Sequence, residues 1–243
     1  MSTTLQEPVE ESDGSLPGIG SGNPPASVSV VPCMEQQSTR PSAAPDAAPD
    51  VERPSAPITA PGPAPIPSGV ELSAEDRASV DRIRADAAAR GVAIELVARG
   101  PSGSLEEAAA ALGIPPREIV KTLVARAKVT QTADEHTYVI ALIPGDRQVD
   151  WAKLRRLAGM KKMAMTAPAE AVEATGHRPG TITPFGAESA DGTRWPVYAD
   201  ASIAGRIGMG SGARDLSLFV EAHELFAAFD IVTADITKPA PQD

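Results

Sequence analysis

Apolar positions at helical spacing first appear at Val80, Ile83 and Ala87, behind a Ser73/Asp76 pair that resembles an N-terminal cap. They predict a helix to about Arg90, closed by Gly91, and the alternation over 92–98 predicts a strand. Residues 104–107 (Ser-Leu-Glu-Glu) match a capping box ahead of an alanine-rich helix to Leu112, with Gly113 at its C-terminal position. After Pro115 and Pro116, residues 117–120 fit a short helical turn. Residues 121–125 and 137–143 read as the strands of a hairpin across a polar turn, 130–135. Asp150 is placed to cap a helix with Trp151, Leu154, Leu157 and Ala158 on one side. A short strand over 163–165 follows, then a helix capped by Thr166, with Pro168 in its first turn, running through Ala174. Strands are expected over 195–200 and 216–220, a short helix over 221–229, and a last strand over 231–236. Short strands and helices mixed without regular βαβ spacing predict one α/β domain built on a mixed sheet.

Two stretches interrupt this pattern. Residues 176–186 hold three glycines and two prolines around a few strand-like positions, and residues 208–214 are rich in glycine. Glycine lets the backbone turn sharply or approach a ligand closely, and proline fixes φ.

Composition divides the chain. Residues 1–70 hold 14 of the 24 prolines, no Trp, Tyr or Phe, and a formal charge of −6, the composition of a disordered Pro/Ala/Ser-rich tail. Residues 71–238 are the expected domain, large enough for a real core, and 239–243 the expected frayed end. From residue 71 onward the formal charge is −4, which removes the simple argument for nucleic-acid binding by a basic surface. One locally basic region stands out: Lys153, Arg155, Arg156, Lys161 and Lys162. It reads either as a solvated helix face or as a phosphate-contacting patch.

The sole cysteine, Cys33, leaves no intrachain disulfide and no cysteine zinc site, and His136, His177 and His223 have no metal-ligand spacing. No signal peptide and no membrane-length apolar run is present, so a cytoplasmic location is expected. No Gly-x-Ser-x-Gly elbow, His-Glu-x-x-His, Walker loop or dinucleotide fingerprint occurs. Gly208-x-Gly-x-Gly212 lacks the Lys-Ser/Thr continuation of a phosphate loop, and Ser211 has no evident base. Lys121 sits at a strand start with apolar flanks. It reads as a surface lysine or as an ammonium that orients a carboxyl ester or phosphate.

The motifs in order resemble the YbaK/ProX family of aminoacyl-tRNA deacylases, relatives of the editing domain inserted in bacterial prolyl-tRNA synthetases. The resemblance runs through residues 104–113, 119–124 (Ile-Val-Lys-Thr-Leu-Val), 138–145, 149–154, 158–163, 171–176, 180–186 (Gly-Thr-Ile-Thr-Pro-Phe-Gly), 197–200 and 210–214 (Gly-Ser-Gly-Ala-Arg). Each motif is modest alone; their shared order over about 160 residues makes the resemblance specific.

The resemblance implies a compact mixed-strand α/β domain with peripheral helices and no metal or other cofactor. It implies hydrolysis of the ester between a wrongly attached amino acid and tRNA. The family's lysine falls on Lys121, its Gly-x-x-x-Pro loop on Gly180 and Pro184, and its second glycine loop on Gly210, Ser211 and Gly212. Gly180 is then the candidate for oxyanion stabilisation by backbone N–H groups, with Lys121 anchoring the terminal nucleotide or orienting the substrate. Pro184, Gly210, Ser211 and Gly212 are candidates for substrate binding, and Lys153, Arg155, Arg156, Lys161, Lys162 and Arg214 for contacts to the tRNA backbone. The expected partners are mischarged aminoacyl-tRNA and an aminoacyl-tRNA synthetase, not a membrane. Two other readings stay open: a noncatalytic RNA- or synthetase-binding member of the same fold, and a small-molecule esterase. Convergence of Lys121, Gly180 and Gly210 on one cleft favours the deacylase. A filled cleft favours the binding module, and a closed pocket without a charged approach favours the esterase.

Overall fold

The computed structural model describes residues 62–130, 132 and 135–240. Residues 1–61 of the expected tail over 1–70, Cys33 included, and residues 241–243 lie outside the described residues. In chain order the elements are α1 (Ala74–Ala89), β1 (Ile94–Ala98), α2 (Leu105–Leu112), a 3-10 turn (Pro116–Glu118), β2 (Val120–Lys128), β3 (Thr137–Pro144), β4 (Arg147–Val149), α3 (Trp151–Leu157), β5 (Lys162–Met165), α4 (Pro168–Thr175), β6 (Val197–Asp200), β7 (Arg206–Met209), β8 (Leu216–Glu221), α5 (Ala222–Ala228), β9 (Val232–Ala234) and β10 (Thr237–Pro239).

Local chemistry sets most boundaries. The Ser73 hydroxyl accepts the Asp76 N–H at 3.1 Å to open α1, and the Ser104 hydroxyl accepts the Glu107 N–H at 3.1 Å to open α2. Asp150 accepts from Ala152 and Lys153 N–H at 3.0 and 3.1 Å to open α3. α4 departs from expectation. Its N-cap is Ala167, and Glu170 accepts the Ala167 N–H at 3.3 Å. The Thr166 hydroxyl instead donates to the Val124 carbonyl at 2.9 Å, which ties the helix entry to β2.

A five-stranded mixed sheet, ordered β5-β2-β3-β6-β9, forms the centre. β5, β2 and β3 pair antiparallel, while β3–β6 and β6–β9 pair parallel. Both faces are covered, which is why β3 reads as a continuous apolar run rather than an alternating one. Ile140 and Leu142 pack with Val80 and Ile83 of α1, Leu218 of β8 and Phe185. Ala141 and Ile143, on the opposite face, pack with Val149, Leu154 of α3 and Ile236. A second sheet, β1-β8-β7, is wholly antiparallel.

The expected strand over 231–236 is shorter, β9 at Val232–Ala234, and a further strand, β10, follows it at Thr237–Pro239. β9 joins the large sheet and β10 pairs with β4. Between them the Asp200 carboxylate accepts the Ile236 N–H at 3.1 Å and the Thr237 hydroxyl at 2.7 Å, bending the chain. Pro239 still pairs with Arg147. The lead-in over 62–70 packs on the domain: Ala64 is buried, Ile66 and Val70 lie against the main core, and Arg84 Nε donates to the Ala64 carbonyl.

The two larger sheets share the main core and also meet at one strand edge. A single parallel bridge joins Ile119, just before β2, to Gly208 of β7. β5 pairs with β2 only from Ala125 to Lys128. Among the described residues, no strand covers that edge of β2 between the bridge and Ala125.

Candidate active site

The stretch over 176–186 is held by one polar face of α1. Asp76 accepts from the Arg178 guanidinium. The Ser79 hydroxyl meets His177 Nδ1 at 2.8 Å. Arg82 Nη2 donates to the Gly176 carbonyl at 2.6 Å, and Asp86 accepts the Gly186 N–H at 2.9 Å. Positions 76, 79, 82 and 86 recur at helical spacing beside the apolar face of Val80, Ile83 and Ala87. This periodic polar face was visible in the sequence but carried no sign of what it would grip.

Burial works against ionisation of Asp86. Hydrogen bonds from Arg194 and the Gly186 N–H, with the nearby Arg90 charge, outweigh it and lower the carboxyl below its ordinary value. His177 is buried, and burial pushes its pKa down to about 4. Its Nε2 lies 3.0 Å from the Phe185 carbonyl, which only accepts. The neutral ring therefore carries its proton on Nε2 and accepts from Ser79 on Nδ1. Both nitrogens are engaged, so His177 braces the loop and is not placed to act as a base.

Thus held, the loop makes a tight turn. The Thr181 N–H donates to the Arg178 carbonyl at 3.0 Å, with Pro179 and Gly180 between them and Gly180 at φ 84°. Proline then a positive-φ glycine is the type II arrangement. The turn bond uses the Thr181 N–H and leaves the Gly180 N–H outside it. The second glycine loop packs directly behind: the Gly212 N–H donates to the Thr181 carbonyl at 3.0 Å. A Cβ on Gly210 would sit 2.4 Å from the Ile182 carbonyl oxygen and 2.5 Å from the Thr181 carbonyl carbon, so only glycine permits this backbone-to-backbone approach.

The turn opens on a cavity of about 580 Å³, within the usual range for small-ligand sites. Its walls include Gly180 and Ile182, Gly208 to Gly210, residues 119–123 leading into and along the uncovered edge of β2, the start of α2, and Arg99, Arg214 and Asp215. Lys121, Gly180 and Gly210 thus converge on one cleft. Lys121 Nζ donates to the Gly145 carbonyl at 2.8 Å and to the Arg147 carbonyl at 2.5 Å. An ammonium has three N–H donors, so one remains. Burial lowers the lysine's pKa, opposed by the Asp146 and Glu106 carboxylates.

The other expected residues fall into two groups. Pro184, Ser211 and Gly212 are buried and lie outside the cleft lining. The Ser211 hydroxyl donates within reach of the Ala213 and Leu216 carbonyls, at 3.1 and 2.9 Å, which fixes the second loop. Lys153, Arg155, Arg156, Lys161 and Lys162, on α3 and around β5, do not line the cleft either. Lys153 Nζ is bound to Asp235 at 2.6 Å and to the Thr237 carbonyl at 3.0 Å. Arg214 does line it, joined by Arg99, which sequence reading missed. Arg99 Nη2 donates to the Arg214 carbonyl, and burial lowers its pKa against the nearby Asp215 carboxylate. A lone arginine after a strand gives no hint of a partner 115 residues away.

Comparison with known proteins defines the class first. A solved structure described as a candidate trans-editing enzyme for prolyl-tRNA synthetase is similar over 69% of this chain and 99% of its own, with a TM-score of 0.58 and 25% identity. A second, described only as a hypothetical protein, has a TM-score of 0.57 and 26% identity over 65% of this chain and 99% of its own. Residues 100–228, just over half of the chain, match the aminoacyl-tRNA editing domain family, and the chain belongs to that family. Similar curated proteins are the proline–tRNA ligases of Exiguobacterium sibiricum, 32% identical over 96 residues, and of Geotalea daltonii, 29% identical over 144 residues. The first match covers 40% of this chain and 16% of the ligase, the second 59% and 23%. The chain therefore spans about a sixth to a quarter of the length of these relatives.

Proposed function

We propose that this chain is an aminoacyl-tRNA deacylase that hydrolyses the ester bond of a mischarged aminoacyl-tRNA. The observation that carries the reading is the Pro179–Gly180 turn, with its Gly180 N–H outside the turn bond, on the same cleft as Lys121 and Gly210. Water attacks the ester carbonyl, and its oxygen becomes anionic in the tetrahedral species. Backbone N–H groups of Gly180 and its neighbours stabilise that oxygen without reorganising, because α1 and the second glycine loop already hold them. The acyl C–O bond then breaks, and the proton from water ends on the ribose oxygen that leaves.

No histidine lines the cleft among the described residues, and His177 is occupied. The family resemblance implies that a ribose hydroxyl of the terminal adenosine positions or activates the water. The remaining Lys121 N–H orients the terminal nucleotide or the ester. Arg99 and Arg214 give the cleft a charged approach for a phosphodiester, which supports a nucleic-acid substrate over a small-molecule esterase. Action beside a prolyl-tRNA synthetase is the partner reading that the relatives support.

Turnover of a panel of mischarged tRNAs tests this. Lys121→Ala is expected to lower hydrolysis on the order of 10- to 100-fold, the scale of a lost charged hydrogen bond, while the fold survives. Unchanged turnover in that variant removes Lys121 from the mechanism. A wild-type protein that is folded and clears no member of the panel sinks the enzyme reading.

A further inference from the structure

Resting on that reading, we propose that a buried hydrogen-bonded chain, Asp200–Thr237–Arg147, aims Lys121 at the substrate, with Thr237 as its positioning residue. Lys121 Nζ spends two of its three N–H groups on main-chain carbonyls of the turn between β3 and β4, Gly145 at 2.8 Å and Arg147 at 2.5 Å. Two fixed donors on a tetrahedral nitrogen fix the direction of the third. The four-carbon stem of a lysine is flexible and cannot do this alone. The aim of the remaining N–H is therefore set by where the turn stands.

The turn is pinned from two sides. On one side Gly145 lies against the start of α2 and the 3-10 turn. A Cβ there would sit 2.3 Å from the Pro116 carbonyl oxygen and 2.8 Å from a Leu105 methyl carbon. On the other side Arg147 Nε donates to the Thr237 hydroxyl at 2.5 Å, and that hydroxyl donates to the Asp200 carboxylate at 2.7 Å. Thr237 and Asp200 are both buried. Asp200 ends β6 of the large sheet and also accepts the Ile236 and Ser202 N–H groups, each at 3.1 Å. Burial works against its charge, and hydrogen bonds from Ser202, Thr237 and Ile236 outweigh burial and lower the carboxyl below its ordinary value. A charged acceptor strengthens the Thr237 bond. The chain thus runs from a strand of the large sheet, through one hydroxyl, to the residue whose carbonyl holds Lys121.

A double-mutant cycle separates aiming from plain scaffolding. Thr237→Val removes the hydroxyl with little change of shape. Single-turnover hydrolysis of a mischarged tRNA is expected to fall roughly tenfold, the scale of a displaced reacting group. Thr237→Ser keeps the hydroxyl and is expected to keep the rate. In a Lys121→Ala background the valine is expected to add no further loss, because a residue acting through Lys121 then has nothing to act on. An unchanged rate in Thr237→Val, or a full further loss on top of Lys121→Ala, overturns the proposal. If the valine variant does not fold, Arg147→Met breaks the same chain with the Thr237–Asp200 bond left in place, and the same outcomes decide.

Labelling of the amine separates this from the deacylase reading. The full chain is treated with acetic anhydride, and acylation of Lys121 is followed by peptide mass spectrometry against the exposed Lys162. Released from its carbonyls, Lys121 is expected to label several-fold faster in Thr237→Val than in the wild type, whether or not any ester turns over. Unchanged labelling overturns the role of Thr237 while leaving deacylation standing. Faster labelling in a protein that clears no mischarged tRNA keeps the positioning chain and removes the deacylase.

Discussion

Gly180 and Gly210 are both glycines of the site, yet they are required for different reasons, and substitution separates them. Gly180 needs its positive φ of 84° but has open space where a Cβ would go. Gly180→Ala is expected to cost roughly 1–2 kcal/mol for the left-handed backbone and to lower turnover with the fold retained. Gly210 has no room: an added methyl meets the Thr181 and Ile182 main chain. Gly210→Ala must part the two loops, so it is expected to lower thermal stability further than Gly180→Ala and to abolish turnover. Melting curves of the two variants beside their rates check the order. Equal stability losses would show that the loops can separate without penalty.

His177 belongs to the same scale. Its pKa falls from about 6.5 in the unfolded chain to about 4 in the buried site. The depressed value means that the unfolded chain takes up the proton first as pH falls. Stability from this group is fully present above about 6.5 and is lost progressively down to about 4, by roughly 3 kcal/mol. Urea unfolding at several pH values is expected to show that slope, with a flatter one in His177→Gln over the same window. Identical slopes would place the linkage elsewhere.

Among the elements, α1 carries the least expected burden. Read from its apolar spacing, it is scaffold for the core. In the fold its polar face also fixes the loop over 176–186, through Asp76, Ser79, Arg82 and Asp86. Asp86→Ala removes the acceptor for the Gly186 N–H and for Arg194. It is expected to destabilise the chain by about 1–3 kcal/mol and to slow turnover without weakening substrate binding to the same degree. An unchanged kcat per folded molecule would show that the loop keeps its place without Asp86.

The same helix marks the limit of what the sequence reveals. Caps at Ser73, Ser104 and Asp150 are local, and each is legible because its partner lies two or three residues away. The hairpin of β2 and β3 is legible for a similar reason. Thr166 misleads because its best acceptor, the Val124 carbonyl, is 42 residues distant. Arg99 and the Asp86 contact escape notice on the same ground. Lys121, Gly180 and Gly210 became candidates through motif order, and local patterning alone left them as a surface lysine and two turns.

At the scale of the whole molecule, the cleft exists because two sheets fail to close. β7 reaches the chain at Ile119, just before β2, and β5 pairs with β2 from Ala125, and the edge between them borders the cleft. The Pro179–Gly180 turn and the second glycine loop, packed main chain against main chain, stand beside that gap. The boundary of the domain follows the packing of Ala64, Ile66 and Val70. Removal of residues 1–61 is expected to leave the unfolding midpoint unchanged, whereas removal of 1–70 uncovers part of the core and destabilises by roughly 1–3 kcal/mol. Equal midpoints for both truncations would show that the 62–70 segment adds nothing.

The most direct test is single-turnover hydrolysis of mischarged tRNAs by the wild type, Lys121→Ala and Gly180→Ala. The expected result is that the wild type clears at least one aminoacyl-tRNA, and that both folded variants lose rate on that same substrate. Full rate in both variants, or no clearance of any member by a folded wild type, would contradict a main-chain oxyanion site at the Pro179–Gly180 turn.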